Sequence, residues 1–396
     1  MTTNHEVSNR WANSMMPNYS TPTIALSHGS GSYVWDVEGN RYLDLLGGIA
    51  VSVLGHSHRE VVNAICKQTE KFAHSSNLYA HETGIELAEK LIKLFNRDSR
   101  VFFCQDGATA NEAALKLVRK YGYSLRPDGS KQVIVAMNNG FHGRTSGALA
   151  ITGNVSKRDG FAPFGYEVRF VDFNDVASLE SAMKNDVVAV FVEPVQGEGG
   201  MHIGTTDFLK SCQRLSQEHQ ALLVVDEVQS GVGRTGSFFN FSKHGLQPDI
   251  VTLAKGLGAG LPIGALIVSA DVSKHFQPGD HGSTFGGNPV SVAAANVVVD
   301  TVSKPEFLNS VSENSEWLFN EISNLNFPNI KNIRFSGLWF GIELLDESAA
   351  SITNNALSEG FLINAVKPNV LRLAPALNIT KEELQTFLDA LPKLVK

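Results

Sequence analysis

The sequence predicts an α/β protein with a mostly parallel seven-stranded sheet in a large domain and a smaller α+β domain beside it. Three observations predict this. Seven short β-rich runs alternate with helical patterns through the middle of the chain. Several of these runs are apolar on both faces, as buried parallel strands are. The two ends of the chain carry shorter strand patterns broken by turns.

The seven runs are VFFC (101–104), QVIVA (132–136), EVRFV (167–171), VVAVFV (187–192), ALLVV (221–225), DIVTLA (249–254) and GALIV (264–268). Between them lie helix candidates. One begins at TANE, where Thr109 and Glu112 have capping-box spacing, and Ala110, Ala113, Ala114, Leu117 and Val118 give its apolar stripe. These elements define a large domain over 46–285. Residues 1–45 include an Asp/Glu-Gly turn between two short strands and are assigned to the small domain. Residues 286–396 supply the rest of it, ending in a helix announced by Thr380 and Glu383, with Leu384, Phe387, Leu388 and Leu391 on one face.

A chain of 396 residues with 43% hydrophobic composition can bury a large core. Its net charge of −7 is spread along the chain, and the Lys116–Lys131 stretch is a solvated helix face, so no nucleic-acid partner is expected. Cys66, Cys104 and Cys212 have no metal-ligand spacing and suit a reduced, cytoplasmic protein without a metal site. The first residues lack the apolar segment of a secretory signal. No apolar run approaches the roughly 18 residues that would span a membrane.

Five motifs carry chemistry. In VFFCQDGATANEAALK a strand, a glycine turn and a helix start bring the N–H groups of Gly107, Ala108 and Thr109 toward one point, which suits a phosphate. In LLVVDEVQSGVGRTG, Asp226 follows a buried strand, and a carboxylate there needs a cation. In IVTLAKGLGAGLPIGA, Lys255 follows another apolar strand among glycines, where desolvation turns an amine into a nucleophile. NNGFHGRTSGALA offers the aromatic face of Phe141 and the cation of Arg144. GSTFGGNP offers the hydroxyls of Ser283 and Thr284. Taken singly, each has an ordinary reading: a plain strand–turn–helix joint, a capping Asp, a solvated Lys, a surface Arg, a Ser/Thr turn. Together they supply an amine, a partner for a pyridinium, phosphate contacts, an aromatic cover and a carboxylate-binding Arg. Pyridoxal 5′-phosphate is the common cofactor that asks for that set. The first strand is not followed by G-x-G-x-x-G, and there is no G-x-x-x-x-G-K-[ST], which counts against nicotinamide and P-loop chemistry.

At these residues the chain resembles the class III, fold-type I aminotransferases that use pyridoxal phosphate. The match runs from about Tyr19 to Ile379. It rests on Asp226–Val228–Gln229, TLAKGLGAGLPIGA, EPVQGEGG (193–200) and GSTFGGNP. SNLYAHETGIELAEKL (76–91), GHSHREVV (55–62) and LRLAPALNIT (371–380) resemble the acetylornithine branch. The resemblance implies that Lys255 holds the cofactor and shuttles the proton. It implies that Asp226 pairs with the ring nitrogen and Gln229 with the ring hydroxyl, while Val228 and Phe141 cover the two ring faces. Gly107 and Ala108 would cradle the phosphate, helped by Thr284 from a neighbouring subunit, where the Ser283 hydroxyl is also a candidate contact. Arg144 and Arg372 would bind substrate carboxylates, Tyr19 and Asn77 would line the entrance, and Glu198 would pair with Arg372 when no substrate does. A homodimer with shared sites is implied, as is common for oligomers.

The chain departs from the family pattern at Asp106, where Ser or Thr is usual, at Thr109, where an acid is usual, and at Ser52, where Asn is common. Asp106 is expected to act as a helix cap rather than to face the phosphate. The activity implied is transamination of N-acetylornithine with 2-oxoglutarate, in arginine biosynthesis. Rival donors are succinylornithine, N-succinyl-diaminopimelate, ornithine and 4-aminobutyrate. More distant rivals are an aminomutase or decarboxylase on the same fold, disfavoured by EPVQGEGG with Arg372, and a regulator without activity, disfavoured by the Lys255/Asp226 pair.

Overall fold

The computed structural model describes residues 2–395. All seven predicted runs become strands of one sheet: β1 (Ser99–Cys104), β2 (Val133–Met137), β3 (Val168–Val171), β4 (Val187–Val192), β5 (Leu222–Asp226), β6 (Ile250–Leu253) and β7 (Gly264–Ser269). Their order across the sheet is β1-β7-β6-β5-β4-β2-β3. β7 runs antiparallel to both its neighbours, and the remaining pairs are parallel. The apolar runs fit this placement. Every residue of β4, VVAVFV, is buried, and helices cover both faces. Each such Val or Phe contributes about 1.5–3 kcal/mol when fully buried.

Two four-stranded sheets flank this core. In one, the hairpin strands Tyr33–Asp36 and Arg41–Asp44 extend to Leu26–Ser30 on one side. On the other side Phe361–Leu362 adds in parallel beside Arg41–Asp44, tying the chain's beginning to its C-terminal part. The second sheet is antiparallel and contains Ile330–Phe335, Phe340–Leu344, Val370–Leu373 and Asn364–Lys367. The closing helix Lys381–Leu394 carries the Thr380/Glu383 capping box and buries Leu384, Phe387, Leu388 and Leu391. The helix Pro289–Val302 packs on the helices Arg59–Lys71 and Glu82–Phe95. We therefore propose a division that keeps 46–285 as the large domain and adds this helix to it. Among the described residues no helix is long and apolar enough to cross a membrane.

One local expectation is corrected. The helix after β1 spans Gly107–Leu125, here α1, and starts earlier than the Thr109/Glu112 spacing predicts. Its N-cap is Asp106, whose Oδ1 accepts the Thr109 N–H at 2.8 Å, while Thr109 Oγ1 accepts the Asp106 N–H at 3.1 Å. Asp106 wins because its extended backbone puts a carboxylate against the first free N–H groups of the helix. Glu112, not needed as a cap, reaches across to the loop after β2, where its Oε1 accepts the N–H groups of Gly147 and Ala148 at 2.8 and 3.3 Å.

Candidate active site

Residues that follow β1, β2, β4, β5 and β6 line one cavity of about 570 Å³. It lies outside the carboxyl ends of parallel strands, where open α/β sheets bind ligands. Asp226, the last residue of β5, forms its floor and is 4% exposed. Its Oδ2 accepts hydrogen bonds from Asn111 Nδ2 and His142 Nδ1, both at 2.8 Å, and its Oδ1 accepts the Val228 N–H at 3.0 Å. Burial works against this carboxylate, but the hydrogen bond and charge of His142, then Val228 and Asn111, hold its pKa below the usual value. His142 shows the complementary shift. Burial opposes its charge, and Asp226 with Glu193 still keeps its pKa above the ordinary value. The floor is thus a carboxylate kept ionised in a buried place, ready for a second cation.

Lys255 stands two residues beyond β6 and its side chain lines the same cavity. Its backbone sits at φ +42°, a left-handed conformation that costs a lysine on the order of 1 kcal/mol. The turn also packs closely: a Cβ at Gly256 would lie 2.6 Å from Val53 Cγ1. Burial pushes the Lys255 ammonium pKa down and Arg372 adds repulsion, while Glu198, Asp226 and Glu193 pull the other way. Among the described residues its Nζ makes no ion pair.

The start of α1 forms the anion-binding end. Gly107 and Ala108 line the cavity with the unpaired first N–H groups of a 19-residue helix. Only glycine fits at 107, because a Cβ there would lie 2.6 Å from Val228 Cγ1. The Asp106 carboxylate is occupied by Thr109, as a cap. Val228, Gln229 and Phe141 complete the wall. The Phe141 loop is pinned at both ends: the Phe141 N–H donates to Glu193 Oε2 at 2.9 Å, and Glu112 holds Gly147 and Ala148. Arg144, exposed at the mouth, places its guanidinium 5.7 Å from the Phe141 ring centre.

Arg372 is 1% exposed. Its NH1 donates to Glu198 Oε1 at 2.5 Å and its Nε to Asn364 Oδ1 at 3.1 Å. Burial works against the Glu198 carboxylate, but Arg372, then Lys255, lowers its pKa. This pair lies outside the cavity wall yet close enough to act on the charge of Lys255.

Besides Arg372 and Glu198, four predicted residues, Tyr19, Asn77, Ser283 and Thr284, do not line this cavity in a single chain. Tyr19 is 74% exposed. Asn77 donates to the carbonyls of Ser283 and Gly286 at 3.3 and 3.1 Å, so it is tied to the turn that carries Ser283 and Thr284 and not to the cavity. Conversely, Asn111, His142 and Glu193 line the cavity and were not singled out from the sequence. Glu193 and Asp226 share one signal, a carboxylate at the end of an apolar run. His142 lies between Phe141 and Arg144, both selected. Asn111 is hidden inside the apolar stripe of α1.

These residues fit pyridoxal phosphate. The cavity offers a half-buried amine, an ionised buried carboxylate, a helix start for a phosphate and an aromatic face. Gln229 Nε2 is buried without a hydrogen-bond partner, a donor placed for an oxygen of a bound group. A parallel sheet with this lysine and aspartate after two adjacent strands defines a fold-type I enzyme of pyridoxal phosphate. Comparison with known proteins narrows the class. The family Aminotransferase class-III matches residues 14–395. An acetylornithine aminotransferase of Streptomyces coelicolor is 43% identical over 99% of this chain and 96% of its own. The crystal structure of N-acetylornithine aminotransferase from Stenotrophomonas maltophilia superposes with a TM-score of 0.83 at 37% identity, covering 94% of this chain and 95% of that one. An ornithine aminotransferase structure from Toxoplasma gondii, described as having partial occupancy of PLP at its active site, gives a TM-score of 0.94 at 32% identity, over 100% of this chain and 95% of that one. The chain belongs to the class III aminotransferases, enzymes that depend on pyridoxal phosphate.

Proposed function

We propose that the protein moves the δ-amino group of N-acetylornithine to 2-oxoglutarate, giving N-acetylglutamate 5-semialdehyde and glutamate, a step of arginine biosynthesis. The observation that carries this reading is the buried Arg372 held by Glu198 at 2.5 Å beside Lys255. Such a site must accept two unlike amines. Glutamate has a carboxylate on the reacting carbon, which pairs with Arg372 in a fork, while its distal carboxylate pairs with Arg144. The donor has one carboxylate, far from the reacting carbon, and places it on Arg144. Arg372 then needs another anion, because breaking a buried ion pair costs about 3–5 kcal/mol. Glu198 is that anion. The acetyl group on the donor is supported by the Streptomyces coelicolor relative. Ornithine is the second reading, supported by the Toxoplasma gondii neighbour at lower identity.

Bound pyridoxal phosphate supplies a sink for the electron pair left when a proton leaves the substrate carbon. Lys255 Nζ would hold the cofactor and, when free, would be the base placed to take that proton and pass it on. Burial lowers its pKa from the ordinary lysine value, which favours the free amine. Asp226 keeps a negative charge opposite the ring nitrogen. Gln229 would donate to the ring hydroxyl, and Phe141 and Val228 would cover the two ring faces. Gly107 and Ala108 take the phosphate, aided by Ser283 and Thr284 of a second copy. Tyr19 and Asn77 line the entrance.

That second copy makes the working form a homodimer. Leu78 is 86% exposed and Tyr79 73%, beside Asn77, which is bonded to the Ser283–Gly286 turn. Large apolar side chains grouped on a surface mark an interaction site. Three free cysteines support a cytoplasmic setting.

Pre-steady-state measurement of both half-reactions tests the reading. Glu198→Gln should slow the N-acetylornithine half-reaction more than the glutamate half-reaction, and Arg372→Ala should do the reverse. Equal losses in both, for both variants, would remove the switch. A faster half-reaction with ornithine than with N-acetylornithine would replace the donor.

A further inference from the structure

We propose that Glu193 and His142 are joined by one bridging water seated beside Gly140, which passes a proton between Glu193 Oε2 and His142 Nε2 and so sets the charge that Asp226 presents to the cavity. Glu193 follows β4 and His142 follows β2, two strands paired in the sheet. His142 Nδ1 is committed to Asp226 at 2.8 Å. Its other nitrogen, Nε2, is buried and has no hydrogen-bond partner. Leaving such a group unpaired costs about 1–3 kcal/mol. Glu193 is also buried, and its Oε2 accepts only the Phe141 N–H among the described residues.

The two atoms converge on the same place. A Cβ built on Gly140 would lie 3.5 Å from Glu193 Oε2, 3.5 Å from His142 Nε2 and 3.0 Å from the Met137 carbonyl oxygen. His142 and Glu193 form no direct ion pair, the partner of His142 being Asp226. A water near that point would have these two atoms and the Met137 carbonyl as polar neighbours. The absence of a side chain at Gly140 keeps that place open.

The water serves two arrangements. In one, protonated Nε2 donates to the water and the water donates to the Glu193 carboxylate. In the other, the Glu193 acid donates to the water and the water donates to Nε2. Passage between them breaks one N–H bond and one water O–H bond, and forms one water O–H and one carboxyl O–H. One proton moves and no charge is created. Burial pushes Glu193 up to about 8, and Asp226 with Glu193 raises His142 against its burial, so either group can hold the one shared proton. The charged groups that act on them are Asp226, from β5, and Lys255, beyond β6. Asn111 and Thr152 make neutral contacts to the same loop. Glu193 is a positioning residue here: it acts on the cofactor through His142 and Asp226. Only that last consequence rests on reading Asp226 as the partner of a ring nitrogen.

Two measurements test it. High-resolution diffraction from the cofactor-loaded full chain should show a water within hydrogen-bond distance of Glu193 Oε2 and His142 Nε2, and Gly140→Ala should remove it. A direct His142–Glu193 contact, or no density between them, overturns the proposal. In the second, the full chain is labelled with ¹⁵N-histidine, and His142 is identified by the signal lost in His142→Gln. Glu193→Gln should lower the His142 titration midpoint by about one pH unit or more. Gly140→Ala, which adds one methyl and keeps both groups, should lower it by less. Midpoints within about 0.3 unit of wild type in both variants would show that no proton is shared. The titration is run with and without cofactor. A wrong reading of the cofactor site would leave the water and the coupled titration in place, whereas a wrong relay would abolish them with the cofactor still bound.

Discussion

Asp226, at the cavity floor, is 4% exposed and has three hydrogen-bond donors fixed on it, while Tyr19, assigned to the entrance, is 74% exposed. In our reading these are the floor and rim of one site, built in opposite ways. The floor hangs on the ends of β4, β5 and β6, whose burial on both faces leaves each side chain one direction to point. It is complete within a single chain. The proposed rim uses Asn77, Ser283 and Thr284; Asn77 is bonded to the Ser283 carbonyl, and none of the three lines the cavity. In our reading it is completed by a second copy. The difference teaches that a carboxylate can be held ionised in a buried place only by groups fixed in the same core. A group that merely adds one contact to a phosphate can come from elsewhere.

The largest effect should come from the floor. Asp226→Asn keeps the shape but removes the charge and replaces one accepting oxygen with a donating NH2. The half-reaction should slow by more than about tenfold, at least about 1.4 kcal/mol, with the cofactor still bound. A stopped-flow rate within tenfold of wild type would mean that the floor is not the ring-nitrogen partner. A change at the rim should be milder and should depend on assembly. Thr284→Ala removes one hydroxyl, so cofactor affinity should fall about fivefold, roughly 1 kcal/mol, when measured by equilibrium dialysis on the dimer. If dilution to the monomer leaves wild-type affinity unchanged, the rim is not shared between copies. The smallest effect should come from the joint between the two. Asp106 caps α1 through Thr109, and serine caps nearly as well, so Asp106→Ser should cost no more than about 1 kcal/mol in unfolding experiments. It should not tighten cofactor binding. A clear gain in affinity would place the carboxylate against the phosphate.

The sheet was legible because burial on both faces writes itself as continuous apolar runs, and all seven runs became strands. Lys255, Asp226, Gly107, Ala108 and Phe141 were legible because they lie at or just after the ends of those runs, while Val228 and Gln229 came from the resemblance. His142, Asn111 and Glu193 were harder to see. Their roles depend on which strands become neighbours in space, and β2, β4 and β5 are far apart in sequence. The start of α1 was misplaced for a local reason: Thr109 and Glu112 have the spacing of a capping box, but so do Asp106 and Thr109, and the stronger cap lies upstream. The Arg372–Glu198 pair came from the resemblance alone. Nothing in the spacing of residues so far apart in sequence could bring them to 2.5 Å.

Every role proposed for this cavity depends on Lys255 as the residue that holds the cofactor. Borohydride treatment of the loaded enzyme, followed by proteolysis and mass spectrometry, tests this most directly. The cofactor should be fixed to the peptide carrying Lys255, and the label should be lost in Lys255→Ala. A label on any other lysine would contradict the assignment.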